Sequence, residues 1–179
     1  TLLLNGRIDA NGNRGIAAAR YNVGGGGSGG TINVHTSNLQ GSGNVSAKGG
    51  AAYIWTTNEI GGAGGGGRIA IFYNDSTFTG ISTSSVAAGT GHAYGPYPTA
   101  GTLIFIDNND NSATIASNFR FQGLTGSANE TSTSNQTFWN SDNPSYYNFT
   151  NLTILNAVVI NGTSNIVLNV SDYLSVTGS

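Results

Sequence analysis

The sequence predicts an all-β chain, a β-solenoid with glycine-rich loops and essentially no α-helix. Two glycine runs, 24–30 and 61–67, each lead directly into an apolar strand-like segment, at 31–34 and 68–72. No stretch shows the periodicity of an amphipathic helix. Glycine, asparagine, serine and threonine dominate the polar positions, and all four favour strand ends, turns and loops over helices.

An internal repeat sets the organisation of the first part of the chain. The strand-like segments that contain Ile32, Ile69 and Leu103 recur at spacings of 37 and 34 residues. The first two are followed by a small-residue strand that ends in glycine, at 44–50 and 86–89. Repeats of this length indicate stacked supersecondary units that bury their apolar faces against one another.

Composition excludes several classes of function. The 179 residues carry 6 Lys and Arg, 8 Asp and Glu, and a formal net charge of −2. Nucleic-acid binding needs a basic surface, and no apolar run approaches the length of a membrane-spanning helix, so we expect no nucleic acid and no membrane insertion. Cysteine is absent, which excludes disulfides and thiolate metal sites. Because methionine and a signal peptide are also absent, we expect a mature product or a piece of a longer protein.

The chain divides into three predicted regions within a single domain. Residues 1–106 hold the glycine-rich repeats, and 107–150 form a polar and aromatic insertion. Residues 151–179 continue as regular rungs, with short strands predicted at 152–155, 157–160, 166–170 and 173–176 and turns between them. Three such strands per turn give a coil of roughly 20–25 residues, a period typical of β-solenoids.

The two ends of the chain resemble consecutive rungs of a solenoid. Leu174–Ser179 runs smoothly into Thr1–Gly6, and neither segment resembles a cap. Exposed strand edges and an open apolar core favour stacking on another unit. The sequence therefore predicts self-assembly, non-covalent or as a tandem repeat, through these residues: Thr1, Leu2, Leu3, Leu4, Tyr173, Leu174 and Val176.

The glycine runs and their neighbouring strands carry a family resemblance. The segments GGGGSGGTINV, GSGNVSAKGG and GGAGGGGRIAIFY resemble the glycine-rich repeats of very large extracellular microbial proteins. Those repeats are similar to right-handed parallel β-helices of the pectin-lyase-like and adhesin type. The resemblance covers about residues 1–106, and it implies secretion, display at the cell surface and a structural or adhesive role. It transfers no catalytic residue.

The glycine runs have two interpretations. No Gly-Lys-Ser/Thr follows either run, so a phosphate-binding P-loop is excluded. The structural interpretation is that glycine permits close approach of backbones and positive φ. On that interpretation the runs pack as extended glycine helices or as flat loops against a neighbouring subunit.

Eight Asn-x-Ser/Thr sequons are candidate glycosylation sites, and composition alone produces most of that number. Asn129 and Asn135 lie in a predicted exposed loop, which makes them the best acceptors. The eight acceptors are Asn44, Asn74, Asn129, Asn135, Asn148, Asn151, Asn161 and Asn169.

Two further clusters have both a functional and a structural interpretation. The run from Asp107 to Asn111 is dense in oxygen ligands and is a weak Ca²⁺ candidate through Asp107 and Asp110, but a solvated turn explains it better. The aromatic group of the insertion can stack on glycans through Trp139, Tyr146 and Tyr147, although packing of a loop onto the core or burial at a subunit contact is the commoner role.

These observations favour a non-enzymatic, extracellular structural protein without a cofactor, whose partner is a copy of itself. Glycans attached to the chain or an extracellular polysaccharide are further expected partners. The alternative is a carbohydrate-binding or adhesive module of a large surface protein. A polysaccharide-cleaving enzyme on the same fold is the weakest hypothesis, because catalysis needs a pair of carboxylates and the acidic residues are scattered.

Overall fold

The computed structural model describes residues 1–19, 22–56, 59–91, 98–116, 146–155 and 167–177. These ranges contain β-strands and no helix, which confirms the predicted all-β class. The strands are β1 (Leu2–Leu3), β2 (Arg7–Asp9), β3 (Ala17–Ala19), β4 (Asn22–Val23), β5 (Thr31–His35), β6 (Asn38–Gln40), β7 (Asn44–Ser46), β8 (Ile54–Thr56), β9 (Glu59–Ile60), β10 (Arg68–Tyr73), β11 (Asp75–Ser76), β12 (Thr102–Asp107), β13 (Ser112–Ile115), β14 (Tyr146–Leu155) and β15 (Val167–Thr177).

Strands of successive repeats pair in parallel, in the register that the sequence spacing predicts. Ile69 of β10 lies opposite Ile32 of β5 on one side and Leu103 of β12 on the other. A second parallel column joins β1, β6 and β11, where Leu39 lies opposite Leu2 and Ser76. A third joins β2 to β7. The 37-residue spacing therefore corresponds to one step from strand to neighbouring strand.

Between these columns lies a bundle of six extended segments, which we call the glycine bundle (residues 10–16, 24–30, 47–53, 61–67, 86–91 and 98–101). Within it, every third backbone amide donates to the same neighbouring segment. Gly24, Gly27 and Gly30 donate to the carbonyls of Ile16, Asn13 and Ala10 at 2.7–2.8 Å, and Gly26 and Gly29 donate to Gly62 and Gly65. A period of three residues is that of the polyproline II helix.

Each segment of the bundle bonds to several neighbours at once. Segment 61–67 donates from Gly61, Gly64 and Gly67 to segment 47–53, and its Gly66 donates to Thr99. Because a polyproline II helix has no internal hydrogen bonds, these contacts between segments satisfy its backbone. The bundle is therefore held together by backbone hydrogen bonds between its segments, and these segments are not separate loops.

The bundle explains why the runs are glycine, and it corrects part of the expectation. No glycine in either run has a positive φ; among the described glycines only Gly41 and Gly91 do. Close approach is the reason instead. A Cβ built on Gly64 would lie under 3.0 Å from the backbone of Gly27, and one on Gly26 would meet Gly50 in the same way. The three-residue period of the hydrogen bonds agrees with the interpretation as extended glycine helices.

The six-stranded sheet has the order β15-β14-β13-β12-β10-β5 and changes direction once. The hairpin between β12 and β13 is antiparallel, whereas β13, β14 and β15 are parallel to one another. The predicted polar turn lies in this hairpin, and Asn111 adopts a left-handed φ of 59° there. Strand β13 itself was not predicted from the sequence.

The last two strands agree in period with the prediction but differ in detail. Leu152 lies opposite Leu174, 22 residues later, within the predicted coil length. The turn expected at Ser171 and Asp172 is instead an irregularity inside one continuous strand, because β15 has an extra residue opposite the stretch between Phe149 and Asn151. The strand and turn predicted for 157–162 lie outside the described residues.

Two apolar clusters lie on opposite faces of the six-stranded sheet. On one face, Ile69, Ile71 and Phe105 join Leu39 and Val45 from the other columns, and all five are fully buried. The opposite face carries a second cluster: Ala70, Ile104, Ile106, Ala113, Ile115, Phe149, Leu152 and Ile154. Burial on both faces explains why β10 and β12 have continuous apolar sequences instead of alternating ones.

Candidate assembly surfaces

Strand β1 lies at the edge of its sheet and presents one leucine to solvent. Leu4 is buried, with its amide donating to Gln40 at 2.8 Å, and Leu2 packs against the first cluster. Leu3 points away from the core and is 62% exposed. The Thr1 hydroxyl accepts a bond from the Asn38 amide at 3.4 Å. Of the predicted N-terminal assembly residues, Leu3 is therefore the large apolar side chain available to a partner.

Strand β15 forms one edge of the six-stranded sheet, and it presents more large apolar side chains to solvent than β1 does. Tyr173, Leu174 and Val176 are 59%, 55% and 64% exposed. Leu174 and Val176 share a face, since they lie opposite the buried Leu152 and Ile154. Tyr173 lies on the other face. All three residues predicted for C-terminal assembly thus reach solvent from an edge strand.

Because of the change in direction at the β12–β13 hairpin, β15 runs antiparallel to β5, the strand at the other edge of the same sheet. In a copy stacked on this sheet by simple translation, β5 would therefore lie antiparallel to β15 of the first chain. That geometry differs from the continuous parallel rungs expected from the sequence of the two ends.

The turn at Asp107–Asn111 uses its carboxylates within the turn. Asp107 accepts a hydrogen bond from the Asn109 amide at 2.9 Å, and Asp110 accepts one from the Ser112 amide at 3.0 Å. These are Asx-turn bonds, which explain the local sequence without a cation. Burial, and then the charges of Asp107 and Asp110, raise the pKa of Tyr73 to about 12, so this phenol stays neutral in ordinary buffers.

The candidate glycosylation sites lie in different environments. Asn74 and Asn169 are exposed. Asn151 is half-buried and donates to the Ser112 hydroxyl at 3.0 Å, and Asn44 has a buried side-chain oxygen without a partner among the described residues. Asn74 and Asn169 are thus better placed as acceptors than Asn44. The backbone of Asn148 lies in β14, and Asn129, Asn135 and Asn161 lie outside the described residues.

A different aromatic pair from the predicted one lies on the described surface. Trp139 lies outside the described residues, and Tyr146 and Tyr147 are described only as part of strand β14. Strand β8 pairs antiparallel with β9, and we call this pair the β8 hairpin. Tyr53, just before β8, and Trp55, within it, have ring centroids 6.4 Å apart, and Trp55 is 48% exposed. The Arg14 guanidinium lies 5.4 Å from the Tyr53 ring centroid. No sequence signal distinguished this pair from core aromatics.

A polar cleft of about 310 Å³ lies where the glycine segments meet the six-stranded sheet. Its walls come from the same position in three successive repeats, where a glycine-rich segment ends and a strand begins. The residues that begin these strands are Thr31, Arg68 and Thr102. These three residues lie opposite one another in the parallel ladder. Burial lowers the pKa of Arg68, which nonetheless stays cationic.

Metal-ligating side chains do not cluster in the described ranges. No group of three or more His, Asp or Glu side chains comes together there to hold a metal ion. No helix long and apolar enough to span a membrane occurs in the same ranges. Comparison of the chain with family models, with curated proteins and with solved structures found no match.

Proposed function

We propose that this chain is a structural unit of an extracellular surface, a β-solenoid that stacks end to end with copies of itself and catalyses no reaction. The observation that carries the proposal is the exposure of apolar side chains on edge strands. Leu3 on β1 and the β15 residues Tyr173, Leu174 and Val176 lie on strands that have an unpaired side in the described fold. Unpaired edges with apolar side chains are templates for strand addition.

Two properties support a structural role for the stacked unit. The glycine bundle fixes six segments by backbone hydrogen bonds, so its rigidity is independent of ions and of charged side chains. Parallel columns at a 37-residue spacing have the pairing expected of solenoid coils, each of which templates the next. The resemblance to extracellular glycine-rich repeats agrees with secretion, which stays a prediction.

Replacement of Leu3 by Lys tests the role of the β1 edge. Because Leu3 is 62% exposed, the fold is retained, whereas a cation at an edge strand opposes strand addition. We expect the native chain to form linear assemblies in negative-stain electron microscopy and the variant to lose them, with unchanged circular dichroism.

Ile54→Lys is the matched control, since Ile54 is also an exposed apolar residue but lies on the β8 hairpin. Assembly of Leu3→Lys at the native level would contradict the role of β1. Loss of assembly in the Ile54→Lys control would show that added charge alone explains the effect.

A second candidate function is carbohydrate binding at Tyr53 and Trp55, favoured by the half-exposed indole beside a second ring and a cation. Aromatic faces stack on sugar rings. We expect Trp55→Ala to weaken binding to an oligosaccharide array by roughly tenfold or more, as for loss of a stacking anchor. Ile54→Ala, a change at the neighbouring residue, should leave binding intact. An absence of binding by the native chain, or equal binding by both variants, would exclude this function for the surface.

A further inference from the structure

We propose that two copies of the chain pair through their β15 strands, antiparallel and across a two-fold axis, so that the six-stranded sheets join into one. This inference rests on the proposed self-association and adds the partner surface and its symmetry. Such a contact is isologous, with the same strand on both sides.

The first argument is the row of apolar residues that ends at β15. Across the sheet, Ile104 lies opposite Ile115, Ile115 opposite Ile154, and Ile154 opposite Val176. Ile104, Ile115 and Ile154 are at most 4% exposed, whereas Val176 is 64% exposed. The second apolar cluster thus extends to the edge of the sheet and is open there.

The second argument compares the two partners that this edge can meet. Asn33 and His35 of β5 lie opposite Ala70 and Phe72, so they are on the face of the sheet that carries the second cluster. Leu174 and Val176 are on that same face. A translated copy would therefore place Thr31, Asn33 and His35 of its β5 beside these two apolar residues. Exposed polar side chains would then oppose exposed apolar ones. A second β15 instead offers apolar side chains on the matching face, and a two-fold axis perpendicular to the sheet preserves that match.

The register follows from the positions of the two apolar residues. Residues directly opposite in an antiparallel pair share a face. An axis through Ser175 places Leu174 opposite Val176 of the second copy, twice, and Tyr173 opposite Thr177. An axis through Leu174 would place Val176 opposite Asp172, and only the axis through Ser175 matches both apolar residues.

A charge exchange tests this register. In a Leu3→Lys background, which removes the other proposed contact, we expect a dimer in sedimentation velocity. Adding Leu174→Lys or Val176→Glu alone should raise the dimer dissociation constant by roughly tenfold or more, because a charge then faces an apolar side chain. Adding both substitutions together should restore the dimer, because the introduced ammonium of one copy then faces the introduced carboxylate of the other, twice.

The outcomes separate this inference from the proposed function. A chain with both β15 substitutions that stays monomeric, with native circular dichroism, would overturn the two-fold register. Fibres of otherwise native chains that carry Leu174→Lys would overturn the inference and leave the stacking function standing. Native chains that form only dimers, unaffected by Leu3→Lys but broken by Leu174→Lys, would overturn the stacking function and leave the inference standing. Ile54→Lys in the Leu3→Lys background is the control and should leave the dimer unchanged.

Discussion

Gly64→Ala is expected to destabilise the fold by about 3 kcal/mol or more, while Gly62→Ala, two residues away in the same run, is expected to be neutral or slightly stabilising. A methyl group on Gly64 would lie under 3.0 Å from the carbonyl group of Gly27, and one on Gly62 would meet nothing within 4 Å. The two substitutions make the same chemical change, so their difference measures the packing of the bundle.

The size of the Gly64 effect follows from what has to move. Gly27 accepts a hydrogen bond from Gly50 and donates one to Asn13, and Gly64 donates to Gly50. Displacing either backbone lengthens several of these bonds at once, and each broken bond costs about 1 kcal/mol or more when its groups are buried. Replacement of Gly62 by Ala only reduces the freedom of the unfolded chain, which stabilises by about 0.4–1 kcal/mol where the backbone conformation suits Ala.

Chemical denaturation followed by circular dichroism measures both free energies of unfolding. Equal stability of Gly64→Ala and Gly62→Ala would contradict the close backbone packing. Should Gly64→Ala fail to fold, the native-like behaviour of Gly62→Ala would still show that the position in the bundle, and not the loss of a glycine, is responsible.

Phe105→Ala is expected to lower the free energy of unfolding by about 3–5 kcal/mol, as for other buried aromatic side chains. Phe105 is fully buried in β12, and its ring centroid lies 6.0 Å from that of Phe78. It lies opposite Ile71 of β10 and Thr114 of β13, on the strand where the parallel and the antiparallel parts of the sheet meet. The cavity that Phe105→Ala leaves would be surrounded by strands that are held in register, and these strands cannot collapse into it.

Phe72→Ala is the matched control for Phe105→Ala. Phe72 is half-buried on the neighbouring strand, with its ring stacked on exposed His35 at 4.4 Å. Because less of its surface leaves water on folding, we expect less than half of the loss seen for Phe105. If Phe72→Ala lowered the free energy of unfolding as much as Phe105→Ala or more, the burial of Phe105 in the first apolar cluster would be contradicted.

The sequence predicts the repeat well because its signal is local and periodic. Ile32, Ile69 and Leu103 follow glycine-rich segments at similar spacings, and the strands that contain them pair in that register. The reason for the glycine runs was predicted only in part, since close approach of segments distant in sequence leaves no local mark that distinguishes it from positive φ. Hydrogen bonds such as that from Gly26 to Gly62 depend on the tertiary arrangement.

The features that sequence reasoning missed are those set by tertiary contacts. Strand β13 is the short sequence Ser-Ala-Thr-Ile after a polar turn, and its strand conformation depends on pairing with β12 and β14. The antiparallel direction of this hairpin sets the direction of the C-terminal edge strand, and with it the pairing that the proposed stacking would require. Likewise, exposure of Trp55 results from its place on the β8 hairpin, and composition does not distinguish an exposed indole from a buried one.

The most direct test of the stacking function is fibre diffraction from concentrated native protein. Strands that lie across the axis of a stacked solenoid give a meridional reflection at about 4.7–4.9 Å. We expect that reflection from aligned assemblies that electron microscopy shows as continuous fibres. Discrete particles of one chain at every concentration, with no such reflection, would contradict a stacking unit and would favour carbohydrate binding at Tyr53 and Trp55.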